Sequence, residues 1–246
     1  IKGNANLTGD IGRTDKSIAG GIVPHHLLAG KMIAEFFRYI SHNPPETIVI
    51  VAPNHRRTGM SGIHTSRLDW ETPFGTLEAD SGIAEKIIEK MNAAENALLM
   101  EEEHSISSLV PYIKYYMPET KIVPILLHGN YESSEKLGVL LADIQAENPG
   151  IAVFASVDFS HYLDAGTADK MDEKTLEAIK NQDIPGISKM GNDNLDSPPS
   201  IITLITAMKK AGTRPPEVLA HLNSSDITGT GADYTTGYYT IVYEYF

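Results

Sequence analysis

Apolar residues fall along this chain in two alternating patterns. Short continuous runs rich in β-branched residues, bounded by turn residues, occur at Ser17–Val23, Thr47–Ala52, Lys121–Leu127 and Ile151–Val157. Such runs predict strands covered on both faces. Between them, apolar positions recur at helical spacing. Leu28, Met32, Phe36 and Ile40 mark a helix over Leu27–Ile40, and similar stretches lie at Ile83–Met91, Ile106–Tyr116, Ser133–Gln145 and Ala168–Asn181. The repeated β-then-α order predicts an α/β fold, with a mostly parallel or mixed central sheet flanked by helices. Ile63–Asp80, with Pro73 and Gly75, predicts a hairpin or extended excursion. Ser197–Lys210 predicts a helix with Pro198 and Pro199 in its first turn, where proline is tolerated, and Tyr238–Tyr243 a closing strand. Residues 1–16 are polar and rich in Gly and Asn, and predict a flexible lead-in to a single domain over 17–246.

Composition narrows the functional classes. With 20 basic and 32 acidic residues the formal charge is −12, and the basic pairs Arg56-Arg57 and Lys209-Lys210 stand isolated, which argues against a nucleic-acid surface. Cysteine is absent, excluding disulfides, thiolate nucleophiles and Cys-held zinc or iron–sulfur clusters. No apolar run approaches the ~18 residues that span a bilayer. The chain begins at Ile1 rather than methionine, compatible with a processed start and with either a cytoplasmic or an exported protein. Gly229-Thr230-Gly231 precedes a strand and lacks a third glycine, so it is no dinucleotide fingerprint. Ser105, Ser160 and Ser224 lack a nucleophile-elbow context.

Three expected strand ends each deliver a histidine: His25 after Ile22-Val23-Pro24, His55 after Val51-Ala52-Pro53-Asn54, and His161 after Val157-Asp158-Phe159-Ser160. Ligands of open α/β sheets bind beyond the carboxyl ends of strands. A lone histidine in such a place is most often solvated or capping, but three at equivalent positions point to a shared site. His26 is expected to face away from His25 or to support it. His104 precedes Ser105, the expected N-cap of the next helix, so the acids Glu101–Glu103 are also accounted for by a helix start. His42, His64, His128 and His221 show no partner pattern and are expected to be structural or exposed.

Six short motifs occur in order: Gly21-Ile22-Val23-Pro24-His25, Ala52-Pro53-Asn54-His55, Thr72-Pro73-Phe74-Gly75, Glu103-His104-Ser105-Ile106, Asp158-Phe159-Ser160-His161 and Asn223-Ser224-Ser225-Asp226. In this the chain resembles the Memo family, also called AmmeMemoRadiSam system protein B, from about residue 18 to its end. The resemblance implies a fold similar to the class III extradiol ring-cleaving dioxygenases, which hold non-haem Fe(II) with two histidines and a carboxylate. It implies His25, His55 and Asp196 as metal ligands, His161 as an acid/base, and His104 in the same cleft. Two departures stand out. Memo proteins commonly follow the first histidine with Ala-Gly-Tyr, where this chain has His26-Leu27-Leu28. Many also place a cysteine where Asp196 aligns. Asp193 is an alternative third ligand, and a plain N-cap role is an alternative for Asp196.

Such a donor set suits Fe(II), with zinc, manganese or copper also able to occupy it, copper less so without the thiolate. Asp158 is expected either to orient His161 or to cap its loop, and Asn54 or Glu103 to accept from a ligating imidazole. The resemblance thus implies a non-haem metal oxygenase or redox enzyme acting on a small organic substrate. A zinc-type hydrolase, which would lack HExxH and comparable motifs, and a non-catalytic metal- or partner-binding protein are the alternatives. Substrate and oligomeric state are not legible in the chain.

Overall fold

The computed structural model describes residues 12–59, 61–128 and 130–246. In chain order, β1 (Ile18–Val23) is followed by a 3₁₀ turn (Leu27–Ala29), α1 (Gly30–Ile40), β2 (Thr47–Pro53) and β3 (Ile63–Thr65). Next come β4 (Trp70–Thr72), β5 (Gly75–Leu77), α2 (Ser81–Met91) and β6 (Ala94–Glu95). Three short helices follow, α3 (Ala97–Glu102), α4 (His104–Ser107) and α5 (Val110–Tyr116), and then β7 (Lys121–Leu127), α6 (Tyr131–Glu147) and β8 (Ile151–Ser156). The chain closes with α7 (Ala165–Lys180), α8 (Ile184–Ile187), α9 (Pro198–Ala211), β9 (Glu217–Asn223), α10 (Ser224–Thr228) and β10 (Gly237–Glu244).

Eight strands form one mixed sheet in the order β6-β3-β7-β2-β8-β1-β10-β9. The centre, β7-β2-β8-β1, is parallel throughout, while β3 and β10 join its two sides antiparallel. Side chains of the central strands alternate between two apolar layers. In β2, Val49 and Val51 pack with α2, α6 and α9, whereas Ile48, Ile50 and Ala52 pack with α1 and α5. This double coverage is why the strands read as unbroken apolar runs. Phe36, Phe37 and Phe154 are fully buried in the second layer, each contributing roughly 1.5–3 kcal/mol.

The α/β fold and its mixed sheet match the expectation, and the differences are local. The helix expected from Leu27 begins with a 3₁₀ turn, because Leu27 and Leu28 are exposed and no core contact draws them into the α-helical register. The helix expected over Ile106–Tyr116 is split in two, Pro111 starting its second half. Ile63–Asp80 contains β3, which joins the main sheet, and a β4–β5 hairpin turning at Pro73-Phe74 with Gly75 at φ 106°. β9 was not expected, since as an edge strand it is only half-buried. Most of the expected lead-in lies outside the described residues. Of the rest, Thr14 is buried and its amide donates to the Tyr39 carbonyl at 3.2 Å.

β1 sits deep because it carries two glycines. A Cβ at Gly20 would lie 2.6 Å from the Val153 carbonyl oxygen and 2.8 Å from Met208 Sδ on α9. At Gly21 it would lie 2.5 Å from the Ile241 carbonyl oxygen and 3.1 Å from Phe36 Cζ on α1. Both helices therefore close on bare backbone. Gly21→Val is expected to cost about 3 kcal/mol or more by overpacking, read as a lowered urea midpoint at unchanged m-value.

Candidate metal centre

Parallel pairing brings the strand ends to one level. Val23 lies opposite Ser156, and Pro53 opposite Leu127. Two residues beyond each of three strands stand His25 (after β1), His55 (after β2) and Asp158 (after β8). Asp196 joins them from the segment before α9. The cap of that helix is Ser197, whose side chain accepts from the Ser200 amide. Asp196 is thus freed from capping, and its Oδ2 lies 3.3 Å from His25 Nε2 and 3.6 Å from His55 Nε2. Its Oδ1 is buried without a hydrogen-bond partner. Asp193 is exposed and does not line the cleft.

The protein occupies the far nitrogen of each imidazole. Ser156 Oγ donates its one proton to the Ser105 carbonyl (2.6 Å), so it must accept from His25 Nδ1 (3.1 Å). His25 therefore carries its proton on Nδ1 and turns a bare Nε2 to Asp196. Glu103, buried, accepts from the His55 amide at 2.9 Å and faces His55 Nδ1 at 2.9 Å and His104 Nδ1 at 3.1 Å. Asn54 does not serve as this acceptor: its Oδ1 has no hydrogen-bond partner, and its Nδ2 donates to the Thr58 carbonyl at 2.8 Å. Glu103 also caps α4 by accepting from the Ser105 amide, which corrects the expectation that Ser105 is the cap. The Ser105 hydroxyl instead donates to the Pro53 carbonyl at 2.9 Å, tying α4 to the end of β2.

Electrostatics follow from burial and these partners. Burial pushes His25 down to about 4, against the pull of Asp196, so it is neutral at pH 7. Burial also disfavours a charged His55, but its bonds to Asp196 and Glu103 outweigh that and raise it to about 10. Glu103 is held well below the usual carboxylate range, because His104 and His55 more than offset the cost of its burial. Burial pushes the Asp158 carboxyl up, against the His25 amide that favours its charge.

His104 is closer to the centre than a lining residue need be. Its ring stacks on His55 at 4.5 Å and meets His25 edge-on at 5.3 Å, although its side chain is 58% exposed. Donor atoms of His25, His55 and His104 lie within 4.8 Å of one another, and so do those of His25, Asp158 and Asp196. Asp158, expected to orient His161 or to cap its loop, instead holds the loop after β1: Oδ1 accepts from the His25 amide at 3.0 Å, and Oδ2 stands 3.5 Å from His25 Nε2. Either set of imidazole and carboxylate donors fits a divalent ion of intermediate hardness.

These groups line a cavity of about 600 Å³, together with His161, Tyr162, His128 and Arg57. His161 stands farther from its strand than the other histidines, and its Nδ1 is buried without a partner. Its loop is held from behind. The His161 amide donates to the Asn192 carbonyl at 2.9 Å, and the Ser160 amide to Asp172 Oδ1 at 3.0 Å. Asp172 is fully buried and pairs with His221 Nε2 at 2.8 Å, so His221 has the partner its sequence context did not reveal. His128, set aside in the sequence, lines the cavity directly after β7. Leu126-Leu127-His128 repeats the strand-then-histidine signal of His25 and His55. His26 stacks on Tyr238, whose hydroxyl lies 3.2 Å from its Nδ1.

Fold and site together define an α/β protein with a histidine–carboxylate cluster at the carboxyl ends of parallel strands. The chain belongs to the Memo-like protein family, which matches residues 5–242. A MEMO1 family protein of Caldivirga maquilingensis is 32% identical over 90% of this chain and 82% of its own. One from Methanosarcina mazei is 31% identical over 94% and 87%. Among solved structures, an uncharacterized protein of Escherichia coli K12 shares the fold, with a TM-score of 0.57 at 13% identity, covering 92% of this chain and 99% of that one.

Asp172→Ala strands the Ser160 amide and the His221 imidazole together. It is expected to lower stability by about 2–4 kcal/mol, with His221→Ala costing less, both read from chemical unfolding.

Proposed function

We propose that the protein is a metal-dependent enzyme of the non-haem iron type, acting on a small organic substrate, with His25, His55 and Asp196 as ligands. The observation that carries this reading is the carboxylate of Asp196, one oxygen turned to the Nε2 atoms of two imidazoles and the other orphaned. When bound, a divalent ion such as Fe(II) supplies redox chemistry and open coordination positions, and zinc or manganese suits the same donors. Asp196 is preferred to His104 as the third ligand because its side chain is 7% exposed and within reach of both imidazoles.

The chain's own residues account for the remaining roles. Ser156 fixes the tautomer of His25, and Glu103 holds the His55 ring in place. The walls of the cavity screen a bound substrate from bulk water, and its volume suits a small molecule. His161, which lines the same cavity, accepts or returns a proton at its imidazole. His104 lies beside the ligands, where it can bond to a substrate oxygen.

Metal quantified per chain in untagged protein is expected near one equivalent, and lost in His25→Ala, His55→Ala and Asp196→Ala. His104→Ala and His161→Ala are expected to retain it, and His161→Ala to lose turnover alone. Metal that survives Asp196→Ala but not His104→Ala would reassign the third ligand. No metal under any loading condition would sink the enzyme reading and leave a partner-binding protein on this fold. Glu103→Gln weakens acceptance from His55 and is expected to lower metal affinity about 10–100-fold, measured by competition with a chelator.

A further inference from the structure

Arg57 is the only lysine or arginine lining the cavity among the described residues. It makes no ion pair or side-chain hydrogen bond there, whereas its neighbour Arg56 is paired with Glu102 at 2.8 Å on the outer surface. In a chain with 32 acidic and 20 basic residues, partners for an arginine are plentiful. Arg57 is exposed on the lining of the cleft, so its guanidinium is open to an anion bound there.

Its backbone adds a second observation. Arg57 adopts φ 50°, a left-handed conformation uncommon for a residue with a side chain. The turn that imposes it is tied at both ends: the Arg57 amide donates to the Asn54 carbonyl at 3.1 Å, and Asn54 Nδ2 donates to the Thr58 carbonyl at 2.8 Å. Asn54 is itself buried in the cavity wall, and its Oδ1 has no partner. The segment just beyond His55 thus holds Arg57 on the cavity lining through a turn anchored by a buried asparagine.

Sheet order separates this flank from the proton-handling one. Arg57 follows β2 and His128 follows β7, while His161 and Tyr162 follow β8. A substrate bound at the metal centre would therefore meet the Arg57 cation beyond β2 and the His161 imidazole beyond the neighbouring β8.

We propose that the substrate is a small molecule bearing a carboxylate, and that Arg57 recognises that carboxylate. A planar guanidinium matches a carboxylate through two parallel hydrogen bonds. A phosphate would call for more cationic groups than this cavity offers. The inference rests on the proposed metal-enzyme reading, since it assumes that the rest of the substrate lies over His25, His55 and Asp196. A carboxylate substituent also gives specificity that a neutral ring of the same size lacks, because leaving the arginine unpaired on binding costs affinity.

The test uses zinc-loaded protein, which is inert to oxygen, and calorimetric binding of 3,4-dihydroxybenzoate and of catechol, with zinc content measured on every sample. Wild type is expected to bind 3,4-dihydroxybenzoate at least about tenfold more tightly than catechol. Arg57→Gln should bring that ratio close to one, and Arg57→Lys should restore part of it. Equal affinities in zinc-loaded wild type, a preference that survives Arg57→Gln, or no binding of either compound would overturn the inference while leaving the metal site standing. If zinc does not load, the metal reading fails instead, and benzoate against benzamide on the metal-free protein decides about Arg57. Benzoate preferred by wild type but not by Arg57→Gln supports the inference, and no difference overturns it.

Discussion

Parallel pairing of β7, β2, β8 and β1 governs the rest of the molecule. Because these four strands run the same way and end at one level, whatever residue follows each strand by a step or two arrives at the same place. Parallel strands must be covered on both faces, and here α1 with α5 and α6 with α9 supply that cover. The crossover helices leave one edge open, and the cleft forms there. Gly20 and Gly21 let the helices close on β1, so the His25 loop stands on a tightly packed strand.

A centre of this kind brings together groups that repel or dehydrate one another. Three carboxylates and three imidazoles meet beyond the carboxyl ends of the central strands, several of them buried. The arrangement is sustained because each buried charge has assigned partners. Glu103 serves His55, His104 and the start of α4 at once, and Asp158 serves the His25 loop. Asp196 is the exception, with one oxygen left unsatisfied. A buried carboxylate oxygen without a partner calls for one, and at Asp196 it stands beside the Nε2 atoms of two imidazoles.

Much of the architecture was legible because it depends on local pattern. The four central strands are continuous apolar runs, and their ends are marked by Pro24 and Pro53, so the positions of His25 and His55 could be read directly. His161 was legible as a histidine near a strand end, but its distance from the strand left Asp158 at the level of the other two. His128 bore the same signal and was passed over. Asp196 was a different matter. Local pattern left it between ligand and helix cap, and the family resemblance supplied the alternative.

The amino-acid sequence by itself determined the α/β class, the placement of most elements and the family, because periodicity, turn residues and short motifs are properties of neighbouring residues. Only the tertiary structure decided which strands adjoin, that Ser197 rather than Asp196 caps α9, that Glu103 is shared by two imidazoles, and that Arg57 faces the cavity without a partner. Ser156 fixing the His25 tautomer belongs with these: 131 residues separate the pair, and their contact exists only once β1 and β8 lie side by side. Strand order is set by the global balance of packing and connection lengths, and no local window of the chain records it.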